Sequence, residues 1–521
     1  MGFSLEKKEK LKRNHIFALL FLLLLGFALR LYSFDRKSFW IDEIHTFNES
    51  RDGLKAQIQY YKGDPSSLHP PLFFILTHLF YPFPKPERDL RIIPLIFGVI
   101  SIPLLFFLSR LFSRSIALPC ALTLTLMTYH LSLSQDARSY SLLMFGGMAG
   151  LYCLMKHLIT SDRRYLFLGA ISFAILFYTS YSSLLFIVFS QILWLYRVKE
   201  GSKPRLSSFV LFNGLILSLC LPWILFIALH YTGQSFRELL HTEILGTFLS
   251  VLYGVLHDWV PTSPLTIVAT ILLILFPILS TNRRNALILL GTVFLPIAGT
   301  YLFCQVLHYK HYITSRYFIE FLPIFLMTLY LSLEAIESRF GRHKRLLRLK
   351  VLFVVLLIVS NLVILPIYFR SEKQDFRGLV TYLKGHLHQD DKLIVGTTGY
   401  FPGLLHYFGI YPEGRHYLMY PVQRSKEEIE YQIPFIYNNR KATISYSKTY
   451  WFNHLKDGSR LWIVATKPVA KELRTYQGFL LKGYFDGSFF VFPRFPTDAS
   501  IYLFLWDPRS PGEKEIDLVI E

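Results

Sequence analysis

Eleven apolar runs, each near the roughly 20 residues that span a hydrocarbon layer, constrain this chain more than any other feature. A run of that length satisfies its own backbone in lipid only as a helix. The clearest lie near residues 16–31, 90–108, 116–133, 209–229 and 351–368. The shortest is the fifth, which ends before the hairpin Tyr178-Thr179-Ser180-Tyr181. Between alternate runs stand blocks of Lys and Arg: Lys7 to Arg13, Arg110 and Arg114, Lys156 with Arg163 and Arg164, Arg197 to Arg205, Arg283 and Arg284, and Arg339 to Lys350. By the positive-inside rule these blocks are cytoplasmic. The expected topology has its N-terminus inside and residues 371–521 outside. The first run has no small-residue cleavage site after it and reads as a retained span.

Charge supports this reading over a nucleic-acid one. The formal net charge is +19, yet only 17% of residues are charged, against about 25% in soluble chains. The basic residues form no domain of their own; they punctuate apolar runs. Cys120, Cys153, Cys220 and Cys304 all fall within such runs, without CxxC or metal-ligand spacing, and read as small core residues.

The fold class expected is a polytopic α-helical membrane protein of about 11 transmembrane helices with a C-terminal extracytoplasmic α/β domain. Residues 1–370 form the membrane domain, with outer loops 35–89 and 230–264, the second holding a helix near Ile244 to Leu256. Residues 371–521 are more polar. They alternate strand-like runs (Lys392 to Val395, Leu461 to Val464) with helix-like ones (Phe376 to His386, Lys467 to Tyr476).

The outer side is where chemistry is expected. Asp42 and Glu43 emerge after the first span, and acids beside hydrocarbon are functional by default. Arg30, Arg91, Arg138 and Arg316 each end a different span on that side, with Asp136 at the same level. Guanidinium forks suit phosphate, while the bland reading of each Arg is snorkelling or pairing with an acid. His45, His69, His257, His308 and His311 also face outward. With the acids they have the chemistry to bind a divalent cation, but no pair has helix-ligand spacing, so no metal ligand or certain cofactor is assigned. Glycine-rich phosphate loops are absent, which argues against ATP. A transporter or flippase using Asp42 and Glu43 as a proton relay is the competing class, but relay acids belong within spans, and these spans hold almost none. A third class is a membrane anchor whose outer domain is the working part.

Taken in order, several stretches resemble the dolichyl-phosphate-mannose protein mannosyltransferase family and its bacterial relatives. They are Asp42-Glu43, His69-Pro70-Pro71-Leu72, Arg91-Ile92-Ile93-Pro94 with Gly98, Ser134 to Tyr140, Arg316-Tyr317 and Asp375-Phe376-Arg377-Gly378. The resemblance covers about residues 16 to 400. It implies a GT-C fold glycosyltransferase that takes a sugar from a polyprenyl-phosphate donor and inverts the anomeric carbon. It further implies Asp42 as general base, Glu43 as its orienting neighbour, and Arg138, with Arg91 and Arg316, on the donor phosphate. Arg30, His69, Asp136, Tyr140 and Tyr317 are further outer-face candidates. Eukaryotic members carry a lumenal β-trefoil between spans, which this chain lacks. The acceptor therefore does not transfer: a glycolipid, lipopolysaccharide, a cell-wall polymer and protein stay open.

Overall fold

The computed structural model describes residues 13–63, 69–196, 206–230, 246–306, 313–340, 347–410, 431–437, 440–446, 455, 458–488, 499–509 and 514–520. His308, His311, Lys344 and Leu68 lie outside the described residues. The helices of the membrane region begin with α1 (Arg13–Leu31), α2 (Ile41–Ser50), α3 (Gly53–Gly63), α4 (Leu72–Thr77), α5 (Pro86–Asp89) and α6 (Ile92–Phe112). They continue with α7 (Arg114–Leu126), α8 (Thr128–Ser134), α9 (Tyr140–Thr160), α10 (Arg163–Thr179), α11 (Ser183–Phe189) and α12 (Leu206–His230). After these come α13 (Phe248–Trp259), α14 (Ser263–Leu279), α15 (Arg283–Val306), a 3₁₀ turn (Ser315–Phe321), α16 (Leu322–Phe340) and α17 (Leu347–Arg370). The last part holds α18 (Phe376–His386), α19 (Phe401–Phe408), α20 (Lys467–Leu473) and strands β1 (Asp391–Val395), β2 (Tyr431–Tyr437), β3 (Arg440–Tyr446), β4 (Leu461–Ala465), β5 (Leu480–Phe485) and β6 (Ile501–Trp506).

Two compact units result. The first comprises Met1–Phe34, Gly53–Pro82 and Arg88–Pro366; the second comprises Asp35–Asp52, Phe83–Glu87 and Ile367–Glu521.

The first unit is a polytopic membrane bundle. Among the described residues seven helices are long and apolar enough to cross a membrane, or nine if each of two bent pairs is one span. The two remaining expected spans are shorter: α10 has 17 residues, and α11 continues only through a 3₁₀ turn to Leu195. Helix α16 is sealed on all sides from Leu322 to Tyr330, against α7, α14 and α15. By contrast α1 leaves Phe17, Phe21 and Leu24 exposed, a surface suited to lipid and costly in water.

The third run, expected as one continuous span, is broken. At Met127 (φ −67, ψ 109) the chain leaves helical geometry, and α7 and α8 meet at 60°. A break inside hydrocarbon strands backbone groups unless side chains take them up. Here Thr128 N donates to Asn361 Oδ1 at 2.9 Å, and Thr128 Oγ1 donates to the Asn361 carbonyl at 3.0 Å. The carbonyls of Leu124 and Thr125 accept from Arg30. The helix expected near residues 244–256 is described from Phe248, ends at Trp259, and turns 106° into α14.

The second unit is built on a six-stranded mixed sheet in the order β2-β3-β1-β4-β6-β5. Strand β1 runs parallel to β3 and β4, and the other pairs are antiparallel. Central β4 reads Leu-Trp-Ile-Val-Ala and is buried throughout. An unbroken apolar run is what a strand covered on both faces requires, and each large aliphatic there contributes roughly 1.5–3 kcal/mol on burial. Asp391 opens β1 and accepts from Trp462 Nε1 at 2.9 Å, Arg460 Nη1 at 3.2 Å and the His388 amide at 2.8 Å. Helix α18 starts where expected, with Asp375 Oδ1 accepting from Gly378 N at 2.7 Å as its N-cap. The helix expected over Lys467 to Tyr476 ends at Leu473.

Candidate functional site

Asp42 and Glu43 sit in the first turn of α2, where the helix dipole favours acids. Trp40 is the N-cap in extended conformation (φ −90, ψ 172). Glu43 is fully buried, and its Oε2 accepts from the Trp40 amide at 3.4 Å, the reciprocal half of a capping box. Asp42 is partly exposed. Two neighbouring carboxylates thus differ in exposure: Glu43 is sealed within the fold, and Asp42 is partly exposed.

The strand of chain before α2 is held by later parts of the same unit. Ser38 N donates to Glu372 Oε2 at 3.1 Å and Ile41 N to Gln374 Oε1 at 3.0 Å. Lys37 Nζ donates to the carbonyls of Tyr368, at 2.6 Å, and Ser371. The Tyr407 hydroxyl accepts from Phe39 N at 2.7 Å and donates to Glu87 Oε1 at 3.0 Å. Arg377 completes the set, donating to Glu87 Oε1 at 2.7 Å and to the Arg36 carbonyl at 2.9 Å. His406 lies edge-on to Phe47 at 4.7 Å and near Phe39 at 5.6 Å. Burial pushes its imidazole down to about 4. None of Glu87, Gln374, His406 and Tyr407 was marked by sequence, because their partners lie hundreds of residues away. Arg377 alone stood in a noted stretch.

The first unit sorts the four outer arginines into two kinds. Arg30 is fully buried, and all five of its N–H groups are used. Nε donates to Ser134 Oγ (3.2 Å), and Nη1 to the Gly26 and Thr125 carbonyls (3.1 and 3.2 Å). Nη2 donates to the Leu124 carbonyl (3.0 Å) and His130 Nδ1 (2.8 Å). Rather than snorkelling or pairing with an acid, Arg30 caps the broken helix. Gly98 makes this possible, because a Cβ there would collide with Ser134 Oγ. Arg91 is also buried, with Nη1 donating to the Phe34 carbonyl at 2.9 Å. Gln135 Nε2 reaches the Arg30 and Tyr32 carbonyls, each at 2.8 Å. These three residues fasten the exit of α1.

Arg138 and Arg316 are partly exposed. The Arg138 amide donates to the carbonyl of buried Asp136 at 2.6 Å, closing the tight turn before α9. Arg316 stands over the ring of Tyr140 at 5.7 Å. Tyr317, partly buried, follows in the 3₁₀ turn, and its amide donates to Thr314 O at 3.2 Å. His69 is exposed, 6.0 Å from the Phe74 ring. Asp258, unremarked in the sequence although its neighbour His257 was noted, joins this group. Tyr129 OH donates to Ser315 Oγ at 2.8 Å, and Ser315 Oγ donates to Asp258 Oδ2 at 2.5 Å. Arg316 follows Ser315 directly in the 3₁₀ turn.

Among the described residues no three His, Cys, Asp or Glu side chains are grouped so as to hold a metal ion.

No protein-family model matches the chain, and no curated protein sequence matches it. Solved structures do. ArnT from Cupriavidus metallidurans in the apo state is similar over 94% of this chain and 98% of its own, with TM-score 0.54 and 11% identity. ArnT from Cupriavidus metallidurans bound to undecaprenyl phosphate is similar over 96% and 99%, with TM-score 0.51 and 12% identity. At such identity the likeness is one of fold. The chain therefore has an ArnT-like fold of membrane helices with a C-terminal sheet-containing domain.

Proposed function

We propose that this chain is a membrane glycosyltransferase, moving a sugar from a polyprenyl-phosphate donor to an acceptor of the cell envelope on the outer face. The observation that carries this reading is the fold shared with ArnT along almost the full length of both chains, ArnT having been solved with undecaprenyl phosphate bound. Lipid-phosphate chemistry also suits two partly exposed arginines, Arg138 and Arg316. Arg91 and Arg30, engaged with backbone carbonyls, hold the fold around them.

In the reaction Asp42 is the general base and Glu43 fixes the turn that presents it. Asp42 is the more open of the two, which supports that division. As the acceptor oxygen bonds to the anomeric carbon, its proton passes to the Asp42 carboxylate. The bond from that carbon to the phosphate oxygen breaks, and its electron pair leaves with the lipid phosphate. Arg138 and Arg316 stabilise that developing charge. One displacement of this kind inverts the anomeric carbon. The enzyme crosses the inner membrane eleven times, with the N-terminus cytoplasmic and residues 371–521 outside, and needs no ATP. The acceptor is a glycolipid, lipopolysaccharide, a cell-wall polymer or protein.

The test is a deletion strain whose envelope glycans are compared by mass spectrometry. The expected result is loss of one sugar substituent, restored by the wild-type gene and not by Asp42→Asn. Envelope glycans unchanged by deletion would overturn the proposal.

A further inference from the structure

The chain Tyr129–Ser315–Asp258 has no part in the reaction above, yet it joins the start of α8, the end of α13 and the start of the 3₁₀ turn, three segments remote in sequence. Its direction is fixed. Tyr129 donates to Ser315, so the Ser315 hydroxyl hydrogen is committed to Asp258 Oδ2. That leaves Oδ1, which accepts no hydrogen bond from a described residue and belongs to a side chain that is only partly buried. A carboxylate serving only as a staple gains nothing from an open oxygen. Partial desolvation of a charge is unfavourable, and an Asn amide oxygen would accept the Ser315 bond as well.

The neighbours narrow what that oxygen could receive. Arg316 is the next residue after Ser315, which holds Asp258, and it stands over Tyr140. Tyr129, bonded to Ser315, and Tyr140, under Arg316, supply aromatic rings beside them. A cation beside an anchored carboxylate, among aromatic rings, matches a ligand with an anionic end and a polyhydroxylated ring. Phosphate takes the guanidinium, hydroxyls donate to the carboxylate, and ring C–H faces lie on aromatics. A bare phosphate would be repelled by Asp258, so the acid selects for something attached to the phosphate.

We infer that Asp258 is a specificity residue whose open carboxylate oxygen accepts hydrogen bonds from hydroxyls of the sugar on a lipid-phosphate donor, while Arg316 meets the phosphate. This rests on the glycosyltransferase reading above.

The test uses the full-length protein in detergent and two probes. One is a polyprenyl-phosphate-sugar extract of the source membranes. The other is the same extract after mild acid has released the sugars and left polyprenyl phosphate. Wild type should bind the intact extract about tenfold or more tightly than the hydrolysed one, the worth of a hydrogen bond to a charged acceptor. Asp258→Asn should erase that preference while keeping the affinity for hydrolysed extract and the thermal midpoint. Ser315→Ala, which keeps the acid but frees its rotamer, should lose part of the preference. An Asp258→Asn variant that keeps the preference would overturn the inference, and so would a wild type that shows none. Loss of both affinities together with a lower melting midpoint would make Asp258 a staple and also overturn it. Wild type that binds neither probe would instead remove the glycosyltransferase reading itself.

Discussion

Replacing Arg30 by Met tests whether this outer-end arginine is a structural cap or a phosphate ligand. Methionine keeps much of the length and loses all five donors. The acute loss is at the α7–α8 break. The Leu124 carbonyl would normally accept from Thr128 N, but that amide is diverted to Asn361. Without Arg30 the carbonyls of Leu124 and Thr125 are both left in a dry interior. Each orphaned acceptor costs roughly 1–3 kcal/mol, and removing a buried charge returns part of that. The net expectation is a loss of roughly 2–5 kcal/mol. Arg30→Lys, with three donors on one nitrogen, should fall between wild type and Met. The assay is thermal unfolding in detergent, paired with the reactivity of a cysteine placed at residue 127. Met should lower the midpoint and raise that reactivity. An unchanged midpoint, with weakened binding of polyprenyl phosphate, would refute the reasoning and return Arg30 to the ligand side.

Three further outcomes are expected. Asp42→Asn should cost ~10²–10⁴ in transfer rate, the usual worth of a positioned base, with donor binding retained; wild-type turnover in that variant would end the proposed mechanism. Arg138→Lys keeps charge but loses the fork, so donor KM or kcat should worsen at normal expression; unchanged kinetics would remove Arg138 from the site. His406, held down to about 4 by burial, is neutral in the fold, whereas the unfolded chain protonates near 6.5. Stability is therefore full above about 6.5 and falls as pH drops toward 4, by up to about 3 kcal/mol. His406→Phe should flatten that part of the pH–stability curve, and an identical curve in the variant would contradict it.

The bundle was legible because lipid imposes a length and a composition on anything that crosses it. The strands β1 and β4 and the cap at Asp375 were legible for equally local reasons. The break at Met127 was not. It carries neither Pro nor Gly, while Pro119 sits inside α7 without ending it. What permits the break is a guanidinium from α1 and an amide from α17, and no local pattern announces either. For the same reason outer arginines looked alike in sequence. Whether an arginine is sealed depends on a carbonyl left open elsewhere: Arg30 and Arg91 are buried on such carbonyls, and Arg138 is partly exposed. Asp42 and Glu43 stood out in the sequence because acids beside hydrocarbon are costly. Their different exposure came only with the fold, through the cap that Glu43 gives Trp40.

The contacts of Lys37 with Tyr368 and Ser371, and of Phe39 with Tyr407, set a clock on biosynthesis. The two ends of the first are 331 residues apart. At roughly 5–20 residues per second of synthesis, the acid-bearing turn waits roughly 20–70 s for its support to be made. Throughout that interval Phe39 and Trp40, later sealed, have no native cover from that part of the chain. A nascent chain halted before residue 367 would hold its membrane helices and both acids, yet not the braces that orient them. On the proposed reading, catalytic competence would then appear late and all at once, as the last part of the chain emerges, and until then this stretch is a natural client for chaperones.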